Sequence, residues 1–408
     1  MITARQFRIA LMTALASVAL TACANDLSNA PASTASVDKT RGPARTATSQ
    51  SRQVNIALLL PLGGFGESAR IARGMKQAAE MALVDANDPG VQLNVKDDGG
   101  TPEGAKAAAA AAIGEGAEII LGPIFSKAAA GAGQAARPFR IPVLSFSNDP
   151  AVAGDGVYLM SFLASDEVDR VIGYAAAHGK RRFAALIPAS PYGQTVEPAF
   201  RKAIAANGAE LVAAETYTPD ANGILEAAKR TLAAIKSAEA GGQPIDALFL
   251  PSNADEIAQL APLIAYSGID TKKVKLIGTS AWDVAPTLRD EVLIGAWYAA
   301  SDPEAWSQFS QKFQKTFGQA PPRLATLAYD AASFAIDLAK VPAPARFADV
   351  NLRRPQGFAG VDGPFRFNTQ GKAERSLAVL EIEKYRSVVI DPAANEQGAP
   401  VRSADASR

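Results

Sequence analysis

The sequence predicts an α/β fold with two lobes, each built on a doubly wound parallel sheet. From Val54 onward, short apolar runs alternate with longer segments of helical periodicity, which is typical of parallel strands joined by helices. The alternation comes in two series, the first ending near Phe146 and the second beginning near Phe183. A chain of 408 residues is also long enough to bury more than one core.

The first series contains four predicted strands separated by three predicted helices. After the first strand, Ile71, Met75 and Ala79 recur at helical spacing. Thr101 followed by Pro102 predicts a capped start for the second helix. The predicted strands cover 54–60, 91–96, 118–121 and 141–146, and the predicted helices cover 68–87, 101–115 and 126–137.

The second series repeats this rhythm and is followed by a mixed C-terminal part. Its predicted strands cover 183–187, 210–217, 247–250 and 274–278, and its predicted helices cover 192–207, 223–240 and 254–267. Two further helices are predicted near 304–317 and 324–340, and short β segments near 365–367 and 377–383.

Charge balance and two rare residue types restrict the function classes. Lys plus Arg and Asp plus Glu number 41 each, and this balance argues against a nucleic-acid partner, which would favour a clustered basic surface. The single Cys23 and the single His178 argue against a disulfide, a His/Cys metal site and a Cys–His catalytic pair. No nucleophile-elbow, P-loop or zinc-protease motif occurs. We therefore predict no catalytic residue, no metal, no cofactor and no enzymatic activity.

A glycine-rich turn follows the first predicted strand. Gly64, Gly66 and Ala69 fit the dinucleotide-binding pattern G-x-G-x-x-A. We reject that interpretation because Pro61 and Leu62 delay the first glycine and because an exported protein meets little nicotinamide cofactor. A plain tight turn and a turn whose N–H groups face a ligand remain as alternatives.

Residues 1–22 have the features of a secretory signal peptide. Arg5 and Arg8 precede an apolar run that is short for a membrane span. The segment Leu20-Thr-Ala-Cys23 is similar to the bacterial lipobox, in which the Cys thiol receives a diacylglyceryl group and becomes the new N-terminus. The alternative is an ordinary signal peptide with an incidental Cys. We predict lipidation of Cys23, which would attach the protein to a membrane.

Residues 23–53 predict a flexible tether, because they are rich in Ala, Ser, Thr, Asn and Pro and cannot bury a core. In bacterial lipoproteins, an Asp directly after the Cys tends to retain the protein at the inner membrane, and Ala24 holds that position here. This resemblance favours a periplasm-facing protein on the outer membrane over one on the inner membrane.

Candidate ligand-binding residues follow the predicted strands, since doubly wound sheets bind ligands at the carboxyl ends of their strands. Polar or aromatic side chains occur there at Phe65, Ser126, Ser145, Ser147, Asn148, Tyr192, Thr279, Ser280 and Trp282. Hydroxyls and N–H groups at such turns suit an anion, and the aromatic rings could wall a cleft.

Each candidate also has a structural interpretation. Ser126 could cap its helix, Asn148 or Asp149 could order a turn, and the two aromatic residues Tyr192 and Trp282 could pack within a lobe. The adjacent carboxylates Asp97 and Asp98 are interpreted as a turn and helix entry, since neighbouring strand residues point in opposite directions.

Taken together, these turns resemble the type I periplasmic binding proteins, in particular the leucine/isoleucine/valine-binding branch. The resemblance covers about 54–385, and its strongest blocks are Leu58-Leu-Leu-Pro-Leu-Gly-Gly-Phe-Gly66, Arg73-Gly-Met-Lys-Gln-Ala78, Leu121-Gly-Pro-Ile-Phe-Ser126, Ile141-Pro-Val-Leu-Ser145, Tyr192-Gly193 and Tyr329-Asp-Ala331.

The resemblance implies two lobes joined by three hinge crossings, with a small-molecule ligand trapped between them. By that resemblance, lobe one is about 54–162 plus 302–342, and lobe two is about 163–301 plus 343–390. Residues 391–408 are then expected to be a disordered tail.

The resemblance also implies roles for individual residues. In amino-acid binders of this family, turns after the third and fourth strands hold the ligand carboxylate, and Ser126, Ser147 and Asn148 match those positions. Asp149 stands where such binders tend to carry Thr, and it would repel a carboxylate. The family pairs the ligand ammonium with an acid after a strand of lobe two, but the matching segment 278–282 contains none. We therefore expect a ligand other than a plain aliphatic amino acid.

Two functions from different classes follow from the resemblance. One is the substrate-binding component of an ABC importer, which would hand a polar solute to a permease. The other is a lipoprotein activator of a penicillin-binding protein in peptidoglycan synthesis, since such activators share this fold in one domain. Their helical-repeat N-terminal domain has no counterpart in this sequence.

Overall fold

The computed structural model describes residues 53–266 and 269–393. The predicted signal peptide, Cys23, the tether up to residue 52 and the tail after residue 393 lie outside the described residues. Within these ranges, no helix combines the length and the apolar character that a membrane crossing requires.

Helices and strands alternate along most of the described chain. The helices are α1 (Glu67–Ala86), α2 (Pro102–Gly114), α3 (Ser126–Ala136), α4 (Ala164–Ala177), α5 (Pro191–Ala206), α6 (Ala221–Ala240), α7 (Ala254–Tyr266), α8 (Pro303–Phe317), α9 (Ala325–Ala339) and α10 (Asp349–Leu352). The strands are β1 (Val54–Leu60), β2 (Val91–Asp97), β3 (Ala117–Leu121), β4 (Val143–Ser145), β5 (Val157–Leu159), β6 (Arg182–Pro188), β7 (Glu210–Tyr217), β8 (Ala247–Phe249), β9 (Lys275–Gly278), β10 (Trp297–Ala300), β11 (Phe358–Gly360), β12 (Gly363–Phe367), β13 (Ala373–Arg375), β14 (Ala378–Glu383) and β15 (Arg386–Asp391).

The first lobe is built on a parallel sheet with strand order β2-β1-β3-β4-β5. Side chains of β1 alternate between two cores: Ile56 and Leu58 face α1 and α9, whereas Ala57 and Leu59 face α2 and α3. A strand buried on both faces explains the unbroken apolar run in the sequence. The predicted doubly wound architecture is confirmed for this lobe.

The start of α2 shows how local sequence fixes an element of this lobe. The Thr101 hydroxyl accepts a hydrogen bond from the Gly104 N–H at 3.0 Å, and Pro102 occupies the first helical position. The predicted cap is confirmed. A proline costs nothing there, because the first N–H of a helix has no intrahelical partner.

The second lobe is built on a sheet with strand order β15-β14-β10-β9-β8-β6-β7. Five of its strands, β6 to β10, are parallel, and this confirms the doubly wound arrangement predicted from the sequence. The C-terminal strands β14 and β15 add an antiparallel edge. The predicted β segment near 377–383 corresponds to β14, whereas β15 and the antiparallel pairing were not predicted. Tyr385 turns this hairpin with a φ of 67°.

The lobe boundary after α9 differs from the prediction. Residues 343–390 were assigned to lobe two, but residues 343–376 pack on the first lobe. Phe365 and Phe367 of the small antiparallel sheet β11-β12-β13 contact Phe334 of α9 at ring distances of 5.6 and 6.0 Å. This aromatic cluster belongs to the core beneath β1, so the boundary lies near residue 376.

The chain passes between the two lobes three times. It leaves the first sheet after β5 and enters the second lobe at α4, and it returns between β10 and α8. The last crossing lies between β13 and β14. The residues beside these crossings form the candidate site.

Candidate functional site

The turn after β4 carries two of the predicted ligand residues, Ser145 and Ser147, and both hydroxyls accept or donate hydrogen bonds within the turn. Ser145 Oγ donates to the Pro123 carbonyl at 2.9 Å and accepts from the Ser147 N–H at 3.1 Å. Ser147 Oγ accepts from the Asp149 N–H at 3.1 Å. Both serines are buried. The turn therefore uses the whole Ser145 hydroxyl for its own order and leaves the Ser147 O–H as a donor, so it offers fewer free groups to a ligand than the sequence suggested.

The other first-lobe candidates have fewer contacts. Phe65 is 99% exposed in the loop before α1, and Asn148 is also exposed. Ser126 is the first residue of α3, where Phe125 holds the cap position and no side chain caps the helix. The capping interpretation of Ser126 is therefore wrong. Asp149 orders the following turn by accepting from the Ala151 N–H at 3.0 Å, and this confirms its turn interpretation.

The adjacent carboxylates after β2 also order turns. Asp97 Oδ1 accepts from the N–H groups of Leu62 and Gly99, both at 2.9 Å. Asp98 Oδ1 accepts from the Gly100 N–H at 2.8 Å. This confirms the turn interpretation of the pair. The described residues contain no group of His, Cys, Asp and Glu that could hold a metal ion.

The second lobe brings three predicted residues together at the ends of neighbouring segments. The Tyr192 hydroxyl, at the start of α5, donates to Thr279 Oγ1 at 2.8 Å. The next residue, Ser280, binds Glu167 of α4 twice, through its hydroxyl at 2.7 Å and its N–H at 3.0 Å. Sequence analysis missed Glu167, although its place in the first turn of the helix after the first crossing is visible in the sequence.

Glu167 is an acid beside segment 278–282 that comes from a distant part of the chain. Its side chain is buried, and this burial raises its pKa from 4.5 to about 7. The two hydrogen bonds from Ser280 oppose that rise because they stabilise the carboxylate. Burial likewise raises the pKa of the neighbouring Asp166 to about 6. Burial therefore favours the protonated form of both carboxyls.

Trp282 does not wall a cleft, and its prediction as a ligand residue is corrected. Its side chain is fully buried in the core of the second lobe. The ring lies against Gly278, where an added Cβ would come within 2.3 Å of the indole carbons. The ring fills the space that the missing side chain of Gly278 leaves, so Trp282 has a packing role.

A cavity of about 430 Å³ lies between the lobes beside the three crossings. It is lined by residues of both lobes, and most of its polar groups are charged. These lining residues include Phe162, Asp166, Glu167, Ser280, Asp283, Ser301, Trp306, Arg323 and Arg375. Of the sequence candidates, it includes Ser280, which connects it with the Tyr192–Thr279 pair. We refer to it as the hinge cavity.

Of the two arginines that line the hinge cavity, Arg323 is the one whose guanidinium makes hydrogen bonds to described residues. Its guanidinium donates to Asp362 at 2.6 Å, to Ser301 at 3.3 Å and to Thr326 at 3.1 Å. It also lies over the rings of Phe162 and Trp306, at 4.7 and 4.8 Å from their centroids. Sequence analysis missed this residue because nothing around it resembles a strand end.

A second cavity of about 1100 Å³ lies at the opposite ends of the first-lobe strands. Gly116, Pro142 and Gly156, which precede β3, β4 and β5, contribute to its lining. Ligand sites of doubly wound sheets occur at the carboxyl ends of strands. This position therefore sets the second cavity apart from the candidate site.

Comparison with known proteins identifies the family. A model of the periplasmic binding protein family matches residues 53–386. An uncharacterized protein of Rickettsia prowazekii is 26% identical over 239 residues, which span 58% of this chain and 62% of that protein. The chain thus spans less than two thirds of that relative.

Solved structures of low sequence identity share the fold. One is an ABC transporter substrate-binding protein from Sphaerobacter thermophilus (TM-score 0.64, 19% identity, 83% of this chain and 97% of that chain). Another is a branched-chain amino acid ABC transporter periplasmic ligand-binding protein from Burkholderia xenovorans (TM-score 0.64, 16% identity, 85% of this chain and 96% of that chain). A third, from Rhodopseudomonas palustris, is a solute-binding protein of an ABC transporter in complex with 3,4-dihydroxybenzoic acid (TM-score 0.56, 18% identity, 85% of this chain and 100% of that chain). The family match over most of the described chain shows that this chain belongs to the periplasmic binding proteins, a family of binding proteins and not of enzymes.

Proposed function

We propose that this protein is an exported lipoprotein that binds a small polar solute between its lobes as the substrate-binding component of an ABC importer. The observation that carries the proposal is the hinge cavity, which is lined by charged and polar side chains of both lobes. A volume of about 430 Å³ is within the usual range for small-molecule sites.

The position of the cavity connects binding with lobe movement. Residues of the first lobe, the second lobe and all three crossings contribute to its lining, so a solute that contacts both lobes would favour their closed arrangement. Closure would bury the Arg323 side chain, which is 44% exposed, and a solute that pairs with it offsets its desolvation. Tyr192, Thr279 and Ser280 form the second-lobe part of the proposed site, and Phe65, Ser126 and Asn148 stay as proposed contacts from the first lobe.

The solutes named for similar structures support an acid as the ligand. One such structure holds 3,4-dihydroxybenzoic acid, and another, from Desulfitobacterium hafniense, holds leucine. Both compounds carry a carboxylate beside an apolar part. We propose an amino-acid-like, peptide-like or aromatic acid as the solute class.

The proposal includes the lipid anchor. Cys23 would be acylated and residues 1–22 removed, and the tether would hold the two lobes on the periplasmic side of a membrane. Ala24 favours the outer membrane, as argued from the sequence.

A thermal-shift screen of the full-length protein tests the proposal. The screen would cover amino acids, aromatic acids, short peptides and cell-wall fragments, with calorimetry on each hit. We expect one compound to bind saturably and to raise the melting temperature, because it binds the folded state alone. If no compound raises it and the protein instead captures a penicillin-binding protein specifically, the solute-binding role is wrong and the role as an activator of cell-wall synthesis replaces it.

A further inference from the structure

We infer that Arg323 holds the carboxylate of the solute in the hinge cavity. It does so in place of the turn after β4 that carries Ser145 and Ser147, which we call the seryl turn. This inference depends on the proposed solute-binding function and assigns its main specificity residue. It concerns a residue between α8 and α9 that no sequence motif indicated.

The seryl turn is poorly suited to a carboxylate in this chain. The Ser145 hydroxyl donates its proton to the Pro123 carbonyl, and the Ser147 hydroxyl accepts from the Asp149 N–H. A ligand carboxylate would have to displace the Pro123 carbonyl to use the Ser145 hydroxyl, and the free Ser147 O–H is a single uncharged donor close in sequence to the acid Asp149. This turn thus offers a carboxylate less than a positively charged guanidinium does.

Arg323 is arranged in advance for this role. Three of its five N–H groups donate to Asp362, Ser301 and Thr326, so the guanidinium is fixed and two N–H groups are left over. Its side chain is nevertheless 44% exposed and lines the cavity, whereas that of Asp362 is fully buried. A fixed and accessible guanidinium binds a carboxylate with little loss of side-chain entropy.

A second cation strengthens the positive side of the cavity. Arg375 lines the same space and is 1% exposed at its side chain, yet none of its three guanidinium nitrogens has a hydrogen-bond partner among the described residues. Its nearest carboxylate oxygen, from Asp330, is 3.6 Å away. Buried guanidinium groups normally have their hydrogen bonds satisfied, so this one points to an anionic oxygen supplied from outside the chain.

Three carboxylates line the same cavity as the arginines, and this restricts the solute further. Glu167, Asp166 and Asp283 all come from the second lobe. Glu167 and Asp283 accept hydrogen bonds from the uncharged donors Ser280 and Tyr298. The solute carboxylate would therefore lie against the Arg323 guanidinium, and a protonated amine elsewhere on the solute would lower the cost of the charged carboxyls.

Matched acids and amides test this assignment on the full-length protein. One mixture contains L-leucine, benzoate and 3,4-dihydroxybenzoate, and the other contains the corresponding carboxamides. We expect the acid mixture alone to raise the melting temperature of the wild type. For the acid that binds, Arg323→Gln should lower the affinity about tenfold to a hundredfold, because a charged hydrogen-bonded pair is lost.

Three further variants separate binding from folding. Arg323→Lys keeps a positive charge beside the buried Asp362 and should bind the acid with intermediate affinity, since it lacks the planar fork. Arg353→Gln removes a comparable Arg–Asp pair of the first lobe outside the hinge cavity and should bind like the wild type. Ser147→Ala should lower the affinity for the acid less than Arg323→Gln does, because it removes one uncharged donor.

The outcomes distinguish this inference from the proposed function. Undiminished acid binding by Arg323→Gln, or a larger loss of affinity in Ser147→Ala than in Arg323→Gln, would overturn the role of Arg323. If the acids have no effect but another compound class in the wider screen binds, the solute-binding function stands and the Arg323 assignment is wrong. If no compound binds at all, both are wrong.

Discussion

The burial of Glu167 predicts how the folding stability of the protein depends on pH. This side chain is buried and its pKa is raised from 4.5 to about 7. A carboxyl whose pKa is higher in the folded state binds its proton more tightly there than in the unfolded chain. Its contribution therefore favours folding at low pH, and that advantage is lost as the pH rises from about 4.5 to about 7.

The size of the effect follows from the two pKa values. The rise from 4.5 to about 7 corresponds to roughly 3 kcal/mol of unfolding free energy lost across that interval. Glu167→Gln removes the titrating group and keeps an amide oxygen that can still accept from the Ser280 N–H. We expect the variant to gain stability relative to the wild type as the pH rises, by about 3 kcal/mol between pH 4.5 and pH 8.

Urea denaturation of both proteins at several pH values between 4.5 and 8 measures this difference directly. Ser280→Ala is the companion variant, because loss of the hydroxyl donor should raise the pKa of Glu167 further and shift the interval upward. If the free energies of the wild type and Glu167→Gln run parallel across the whole pH range, the reasoning about burial is refuted.

Three further perturbations follow from the structure and the sequence. Gly278→Ala should destabilise the protein by about 1–3 kcal/mol, since its Cβ would lie 2.3 Å from the Trp282 ring. Gly64→Ala, where a Cβ meets nothing within 4 Å, is the control in the same denaturation assay, and equal stability of the two variants would contradict the packing role. Cys23→Ser should abolish labelling with radioactive palmitate in cells and release the protein from membranes, and labelling that persists would remove the argument for a lipid anchor. Tyr192→Phe should cost about 1 kcal/mol of folding stability through the lost bond to Thr279, whereas Tyr266→Phe at an exposed site should cost nothing measurable by calorimetry.

The sequence predicted the architecture well wherever the pattern was local. Apolar strands such as 54–60 and a capped helix start at Thr101 are encoded in a few neighbouring residues, and both are present in the structure. Strand β5 was not predicted, because a strand of three residues is too short to show a period. The antiparallel pairing of β14 was not predicted either, because the direction of pairing depends on partners that are distant in the sequence.

The site was predicted less completely, because its key contacts join distant segments. Ser280 was identified at a strand end, but its partner Glu167 lies 113 residues earlier. Arg323 depends on Asp362, 39 residues later, and on aromatic rings from two other segments. Trp282 was misinterpreted because an aromatic residue after a strand can face a cleft or a core, and only the neighbouring Gly278 decides between them.

The central claim is that a small solute binds between the lobes, and a crystal structure of the protein with the strongest hit of the screen tests it most directly. We expect the solute in the hinge cavity, with its carboxylate on Arg323 and a further contact to Ser280. A solute that occupies the cavity beside Gly116 and Gly156 instead, or that binds only on the outer surface, would contradict the account.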